Sequence, residues 1–221
     1  MSAAPTRHEP PAFGAAEFAA ATGSATGVMA DMEAFRVLLT TWNARMNLVG
    51  PSALADFWLR HAYDSAQLAD LAPEAKIWAD IGAGAGFPGL VLAILLKHAP
   101  GARVHLIESM AKRCQFLQEA ITALGLPAEV HNARAETLRV DGIEVVTARA
   151  CAPLDRLLGF AWPLLGNRGA DQTVGLFLKG ESADQELTEA RRLGDFHVER
   201  QSSRSDPSGQ ILRIVRLRRA R

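Results

Sequence analysis

Ile77-Trp78-Ala79-Asp80-Ile81-Gly82-Ala83-Gly84-Ala85-Gly86-Phe87-Pro88-Gly89 is the stretch of sequence that decides the fold. It begins with a short apolar run typical of a buried parallel strand, and Asp80 stands where that strand is expected to end. Three glycines form a loop that side chains cannot crowd, and the apolar run at 90–96 predicts a largely buried helix. This order predicts a nucleotide-binding turn, because the backbone N–H groups at the helix start are free to meet a ligand.

Two classes of ligand compete for this turn. Residues 84–89 match the dinucleotide fingerprint G-x-G-x-x-G, and the acidic Glu108 follows roughly twenty residues later, as that fingerprint requires. Asp80 argues against a dinucleotide such as NAD, because a carboxylate at the strand end would repel a pyrophosphate. S-adenosylmethionine (SAM) has no phosphate, and its ammonium and sulfonium groups are attracted by a carboxylate. The pattern therefore favours SAM over NAD.

The composition is that of a globular protein of one domain with an added segment. The chain has 221 residues, with 24 basic and 24 acidic side chains and 48% hydrophobic residues. Overall neutrality does not exclude nucleic-acid binding, because charge can be segregated locally. Cys114 and Cys151 lie too far apart for a metal-binding pair motif, which favours a reduced, cytoplasmic protein with no metal. No apolar run approaches the ~20 residues of a membrane span, so no membrane association is predicted.

We divide the chain into three segments. Residues 1–28 are rich in Ala, Pro, Gly and Thr and are interpreted as a flexible N-terminal arm, with a possible short helix near 15–21. Residues 29–75 form a helical extension, with helices predicted at about 29–42, 51–59 and 65–71 from apolar spacing. Residues 76–221 form the cofactor-binding domain.

Strands and helices alternate through this domain. Further strands are predicted at 103–107, 128–131, 143–147 and 174–178, with helices at 112–124, 154–165 and 182–193. A last strand, 211–217, alternates apolar and Arg residues. The alternation predicts an α/β fold with a mainly parallel sheet, helices on both faces, and a ligand at the carboxyl ends of the strands.

Several short motifs occur in a fixed order along the chain. They are Trp42-Asn43 and Asn47-Leu48, His61 with Asp64-Ser65, the glycine loop from Asp80 to Gly89, Lys112-Arg113 with Phe116-Leu117, Arg134-Ala135-Glu136, Arg149-Ala150 with Ala152-Pro153, and Lys179-Gly180. Together they resemble the bacterial small-subunit ribosomal RNA guanine-N7 methyltransferases, once called glucose-inhibited division protein B. The resemblance runs from about residue 35 to residue 180.

This resemblance implies a class I SAM-dependent methyltransferase of Rossmann-like fold with an N-terminal helical extension. It implies SAM as methyl donor and a guanine of 16S ribosomal RNA as acceptor, in free RNA or in the small ribosomal subunit. It also places five residues against SAM: Gly82, Phe87, Ala135, Glu136 and Arg149.

Each predicted cofactor contact also has a physical interpretation. Gly82 and Gly84 let the main chain approach the ligand, where a Cβ atom would intrude. Glu108 can accept hydrogen bonds from both ribose hydroxyls, and residues 135–136 can offer an N–H and a carboxylate to the adenine edge. Arg149 follows the fourth strand on the ligand side, which favours a functional role over a surface salt bridge. Phe87 either covers the ligand or is an ordinary core residue.

The sequence predicts no general base or nucleophile. Guanine N7 carries a lone pair and no proton, and residues 149–153 lack the Asn/Asp-Pro-Pro-aromatic motif expected for methylation of exocyclic amines. Cys151 is interpreted as a small buried thiol rather than as the nucleophile of a cytosine-C5 methyltransferase. His61 and Asp64 lack a third metal ligand, and we interpret them as a structural polar link or an RNA-facing edge.

Four basic residues near the carboxyl edge of the sheet are candidate RNA contacts: Lys112, Arg113, Arg134 and Lys179. The Arg-rich tail is either a further contact or a charged edge strand. Three alternatives stay open: a methyltransferase acting on another substrate, an NAD-binding oxidoreductase, and a non-catalytic RNA-binding module. The sequence does not define the oligomeric state.

Overall fold

A computed structural model describes residues 13–50, 54–165 and 173–219. Its centre is a seven-stranded sheet of order β3-β2-β1-β4-β5-β7-β6. The strands are β1 (Ile77–Ile81), β2 (Arg103–Glu108), β3 (Ala128–Asn132), β4 (Val145–Arg149), β5 (Val174–Lys179), β6 (Gly194–Ser202) and β7 (Gln210–Arg219). The first five pair in parallel, and β7 runs antiparallel to both β5 and β6. The predicted mainly parallel α/β fold is confirmed.

Seven α-helices are found in the described residues. They are α1 (Ala15–Thr22), α2 (Thr26–Met46), α3 (Asp64–Leu71), α4 (Gly89–Leu95), α5 (Ala111–Leu124), α6 (Leu154–Leu165) and α7 (Ala183–Ala190). A π-helical segment, Phe57–Tyr63, runs directly into α3, and a single 3-10 turn, Ala135–Thr137, follows β3. None of the described helices combines the length and the apolar character needed to cross a membrane.

Alternate residues of the central strands belong to two apolar cores, one on each face of the sheet. Trp78 and Leu106 belong to the core that holds α2, α4 and α5, whereas Ile81 and Phe177 belong to the core under α6 and α7. Alternation of this kind follows from the two-residue period of a strand, and burial on both faces explains why the central strands β1, β4 and β5 are mostly apolar. The layout places the carboxyl ends of β1, β2, β4 and β5 along one edge.

The short helix expected near 15–21 is found as α1, and the N-terminal segment is more ordered than its composition indicated. Residues 13–28, which we expected to belong to a flexible arm, form α1 and the start of α2, while residues 1–12 lie outside the described part of the chain. Phe18 is fully buried, and its ring lies 5.5 Å from that of Trp58. The Glu17 carboxylate also accepts a hydrogen bond from the Gly14 N–H at 2.8 Å, which caps α1. One buried aromatic anchor and one cap thus order a segment whose composition is typical of flexible chains.

Two other boundaries need correction. The fourth strand is Val145–Arg149 rather than 143–147, so Arg149 is the last residue of the strand instead of following it. Strand β6 was missed, because residues 194–202 show no regular alternation of apolar side chains. As a result, the Arg-rich β7 lies between β5 and β6 and is not an edge strand.

Candidate active site

The glycine loop between β1 and α4 adopts a backbone that only glycine accommodates easily. Gly82, Gly84 and Gly86 have φ values of +70°, +53° and +88°. The N–H groups of Gly82 and Ala83 both donate to the Ile107 carbonyl, at 2.8 and 3.1 Å, which ties the loop to the end of β2. The loop is therefore a fixed, narrow turn at the carboxyl edge of the sheet.

Asp80 lies beneath this loop. Its Oδ2 accepts a hydrogen bond from the Gly89 N–H at 2.9 Å, and Oδ1 has no partner among the described residues. Burial raises the pKa of Asp80 to about 7, opposed in part by the Gly89 hydrogen bond and the charge of Arg149. The sequence interpretation placed this carboxylate beside the ligand. In the structure the carboxylate is completely buried and fastens the start of α4 to the end of β1, and its contact with the ligand stays a prediction.

Glu108 ends β2 next to the glycine loop, as expected. Its Oε2 accepts from the Gly84 N–H at 3.0 Å, and its Oε1 accepts from the Met110 N–H at 2.8 Å. The side chain is only 5% exposed, and the guanidinium of Arg113 lies 3.8 Å from Oε2. The carboxylate thus shapes the loop, and each oxygen retains a lone pair for a further donor.

Ala135 and Glu136 open the 3-10 turn that follows β3. Ala135 is buried and Glu136 is half-buried. The amide of Asn132, at the end of β3, donates to the carbonyls of Glu108 and Ser109 at 3.1 Å each. This link holds the predicted adenine-side turn beside the predicted ribose-side carboxylate.

Phe87 joins the glycine loop to the N-terminal extension. Its ring centroid lies 5.3 Å from that of Phe35 and 5.9 Å from that of Phe57, and it stacks on His61 at 4.9 Å. Only 4% of Phe87 is exposed. Phe87 was expected either to cover the ligand or to be an ordinary core residue, and this packing supports the core role. Through Phe87, the N-terminal extension packs directly behind the glycine loop.

Arg149 reaches from the end of β4 to the same cluster. Its guanidinium lies 4.9 Å from the centroid of the Phe87 ring, donates to the Arg60 carbonyl at 2.8 Å, and stands 3.6 Å from Asp64 Oδ2. Burial lowers the pKa of Arg149, partly offset by the charges of Asp64 and Asp80. Arg149 is thus not part of a surface salt bridge.

Asp64 connects the extension to the turn between β6 and β7, and the neighbouring His61 stacks on Phe87. Asp64 Oδ1 accepts from Ser205 Oγ at 2.6 Å and from Gln67 Nε2 at 3.1 Å. Both ring nitrogens of His61 are buried without a partner in the described residues. Burial, Arg149 and Arg60 together lower the pKa of His61 to about 3, so the ring is neutral at physiological pH.

A cavity of about 630 Å³ opens at the carboxyl ends of β4 and β5. Its wall includes Arg60, Asp64, Arg149, Cys151, Ser205 and Asp206. The glycine loop meets this cavity, because a Cβ atom at position 82 would lie only 2.6 Å from Cys151 Sγ. We name this volume the β4 cavity.

The structure corrects the interpretation of Cys151. The residue is exposed and lines the β4 cavity, although we expected a buried thiol. Partial desolvation of the sulfur, with the charges of Asp80 and Glu108, raises the pKa of the Cys151 thiol. A raised pKa disfavours the thiolate that a nucleophilic role requires.

The four predicted RNA contacts divide into two groups. Lys112 and Arg134 are exposed and Arg113 is partly exposed. Lys179 is only 8% exposed, and its Nζ donates to the Ala152 carbonyl at 2.7 Å and lies 2.8 Å from Glu186 Oε2. Lys179 thus links β5 to the loop before α6 and also lines the β4 cavity, and its contact with RNA stays a prediction.

Sequence reasoning missed the turn at 203–209, which closes one side of the β4 cavity. Ser203, Ser205 and Asp206 contribute to that wall. The available signal was the cluster of Ser, Asp, Pro and Gly in this stretch, which is typical of a tight turn but carries no information about its tertiary neighbours.

The family model described as rRNA small subunit methyltransferase G matches residues 28–210. The chain belongs to this family. The family assignment made from the motifs is therefore confirmed, as is the prediction that the chain is a methyltransferase with SAM as its cofactor.

Relatives with the name ribosomal RNA small subunit methyltransferase G align over nearly the full chain. The protein of that name from Caulobacter vibrioides is 55% identical over 207 residues, covering 94% of each chain. That from Caulobacter sp. (strain K31) is 54% identical over 200 residues, covering 90% of this chain and 88% of the relative.

A solved structure supports the fold. A SAM-dependent methyltransferase from Aquifex aeolicus superimposes with a TM-score of 0.56 at 15% identity, covering 76% of this chain and 95% of the other. The residues here fit SAM, since the loop has a backbone with positive φ at three glycines, which leaves it free of side chains there, and Glu108 provides a carboxylate at the end of β2. The family assignment removes the NAD-binding oxidoreductase as an alternative.

Proposed function

We propose that this protein transfers a methyl group from SAM to N7 of a guanine in 16S ribosomal RNA, presented as free RNA or in the small ribosomal subunit in the cytoplasm. The observation that carries the proposal is the contact between the glycine loop and the β4 cavity. Cys151 lines the cavity and lies against Gly82, so a cofactor on the loop and a base in the cavity would be immediate neighbours.

The cofactor would lie along the ends of β1, β2 and β3. Gly82 and Gly84 leave room for it, Glu108 faces its ribose, and residues 135–136 face its adenine. When bound, SAM supplies an electrophilic methyl group on a sulfonium centre. Asp80 and Phe87 support the glycine loop from its protein side. Asp80 fixes the start of α4, and Phe87 anchors the loop to the N-terminal extension.

The β4 cavity suits a guanine base. Arg60 Nη1 and Asp206 Oδ2 lie 3.0 Å apart in its wall and offer a cationic donor beside an acceptor. Guanine presents O6 as an acceptor and N1–H with the 2-amino group as donors on its Watson–Crick edge. We infer that this pair reads that edge, which leaves N7, on the adjacent Hoogsteen edge, free for methylation.

The chemistry requires positioning rather than proton removal. N7 already carries an in-plane lone pair, so the side chains here need to orient the base and exclude water. Consistent with that requirement, His61 is neutral with buried ring nitrogens, and the Cys151 thiol has a raised pKa. No described side chain of the cavity therefore has to act as a general base.

The target guanine must leave any stacked helix to enter the cavity. Lys112 and Arg113 lie in the first turn of α5, which follows β2, and Arg134 lies on the loop that follows β3, at the same edge of the sheet. We infer that they contact RNA phosphates around the site, and that the unpaired or flipped base extends past them into the cavity.

Transfer of radiolabelled methyl from SAM to unmethylated small subunits, and to the free RNA, tests this function. Borohydride and aniline cleave RNA at N7-methylguanine, so cleavage of the labelled RNA at one guanine is the expected result. Label at a cytosine, or at an exocyclic amine, would overturn the proposal. The same assay with both substrates shows whether free RNA or the subunit is preferred.

A further inference from the structure

Three side chains that bind metals well in proteins lie together on β2 and β3, away from the β4 cavity. His105 is on β2, and Glu129 and His131 are on β3. All three belong to the sheet face that carries α6, because His105 is paired with Glu129 in the parallel register and His131 follows two residues later.

The ligand atoms converge on one point. His105 Nδ1 lies 2.9 Å from His131 Nε2 and 4.0 Å from Glu129 Oε2, and the three atoms all lie within 4.8 Å of one another. In a tetrahedral zinc site with bonds of ~2.0–2.2 Å, ligand atoms stand roughly 3.3–3.5 Å apart. Small rotations of two imidazoles and one carboxylate would therefore reach that geometry without moving the strands.

We propose that His105, Glu129 and His131 bind a divalent transition metal of the zinc class. Two imidazole nitrogens and one carboxylate oxygen form a donor set that zinc readily accepts, with a fourth position left for water. His105 is buried, His131 is half-buried and Glu129 is exposed. The His105 ring is therefore held in place by its neighbours, and the site is open to solvent on the side of Glu129.

A hydrogen bond between the two histidines is the competing interpretation. It uses one proton between Nδ1 and Nε2 and needs no third group. The Glu129 carboxylate at the same point adds a negative charge that a bound cation would neutralise. Arg103, whose guanidinium lies 3.7 Å from Glu129 Oε2 on the exposed side, neutralises that charge only in part. The two interpretations predict different metal uptake.

A metal at this position would join the edge strand β3 to β2. The same strand pair ends at Glu108 and Asn132, which hold the loops at the carboxyl edge. We therefore expect metal binding to stabilise this edge of the sheet. This effect does not depend on which substrate the enzyme methylates.

The test is titration of the tag-free chain with Zn²⁺ by calorimetry, and with Co²⁺ by visible absorption. We expect one ion per chain in the wild type, and binding weakened at least tenfold in His131→Ala and in Glu129→Gln. His197→Ala is the matched control, because His197 lies 3.6 Å from Glu199 but belongs to no three-ligand group in the described residues.

Circular dichroism checks that the variants are folded, and His131 and Glu129 are chosen because neither is fully buried. Wild-type protein that binds neither ion at millimolar concentration would overturn the proposal. Unchanged binding in His131→Ala, or a loss of the same size in His197→Ala, would also overturn it.

Discussion

Asp80 Oδ2 accepts a hydrogen bond from the Gly89 N–H at 2.9 Å, across the full length of the glycine loop. The bond joins the end of β1 to the first residue of α4, in a position that solvent does not reach. A Cβ atom at position 89 would lie 2.7 Å from the same oxygen, so the close approach depends on glycine. The carboxylate thus sets where the loop begins and ends.

The burial of Asp80 predicts a particular pH dependence of stability. Its pKa rises from the ordinary 3.8 to about 7 in the folded chain, so between these values the unfolded chain loses a proton that the folded chain keeps. The stabilising contribution is therefore complete below this window and declines as the pH rises through it, by up to about 1.4 kcal/mol per pH unit.

Denaturant unfolding of wild type and Asp80→Asn at several pH values measures this effect. We expect the unfolding free energy of the wild type, minus that of the variant, to fall steadily from pH 4 to pH 7. A difference that is constant across this range would show that Asp80 titrates normally.

Gly82→Val should weaken the binding of SAM more than it affects folding. The φ of +70° is strained for a β-branched residue, and the added methyl groups would meet Cys151 Sγ. We expect affinity for SAM, measured by calorimetry, to fall by more than about tenfold, or roughly 1.4 kcal/mol. Gly159→Ala is the control, because a Cβ there meets nothing within 4 Å, and it should bind SAM like the wild type. Full affinity in Gly82→Val would remove the loop from the cofactor site.

Cys151→Ala separates a wall residue from a nucleophile. Because the thiol is exposed in the β4 cavity but has a raised pKa, we expect methyl transfer to persist and stability to change by about 1 kcal/mol or less. A folded variant that binds SAM normally but transfers no methyl group would revive the cytosine-C5 mechanism. A trapped covalent adduct between wild-type protein and RNA would support that mechanism further.

Lys112→Ala and Lys179→Ala should fail in different ways. Lys112 is exposed, so its loss should flatten the dependence of log affinity for RNA on log salt by about 0.7, the contribution of one single-strand phosphate. Lys179 holds Glu186, so its loss should leave the salt slope unchanged and lower the unfolding free energy by roughly 3 kcal/mol. Fluorescence anisotropy and denaturant unfolding measure the two quantities. A flattened slope in Lys179→Ala alone would reverse the assignment of the two lysines.

The sequence predicted the centre of the sheet better than its ends. Around Gly82, the apolar run, the glycines and the next apolar run are all local signals, and the observed β1, loop and α4 follow them. The strand β6 has no such signal, because its exposed, mixed side chains are ordered by pairing with β7. That pairing is made by residues distant in sequence and cannot be read from a local pattern.

The site was predictable in its parts but not in its contacts. The sequence marked Glu108, Arg149 and Lys179 as polar residues after strands, where ligands of α/β proteins bind. It could not show that Lys179 is buried against Glu186, or that Asp80 points beneath the loop, since each depends on packing of α4 or α7. The β4 cavity needed the turn at 203–209, which meets Asp64 only in the folded chain.

The most direct test of the proposed function is methyl transfer to 16S ribosomal RNA in which every guanosine is replaced by 7-deazaguanosine. This analogue keeps the Watson–Crick edge but has carbon in place of N7. With labelled SAM and matched concentrations of normal and substituted RNA, we predict transfer of one methyl group to the normal RNA and none to the substituted RNA, which should still compete for binding. Equal transfer to both RNAs would contradict methylation at N7.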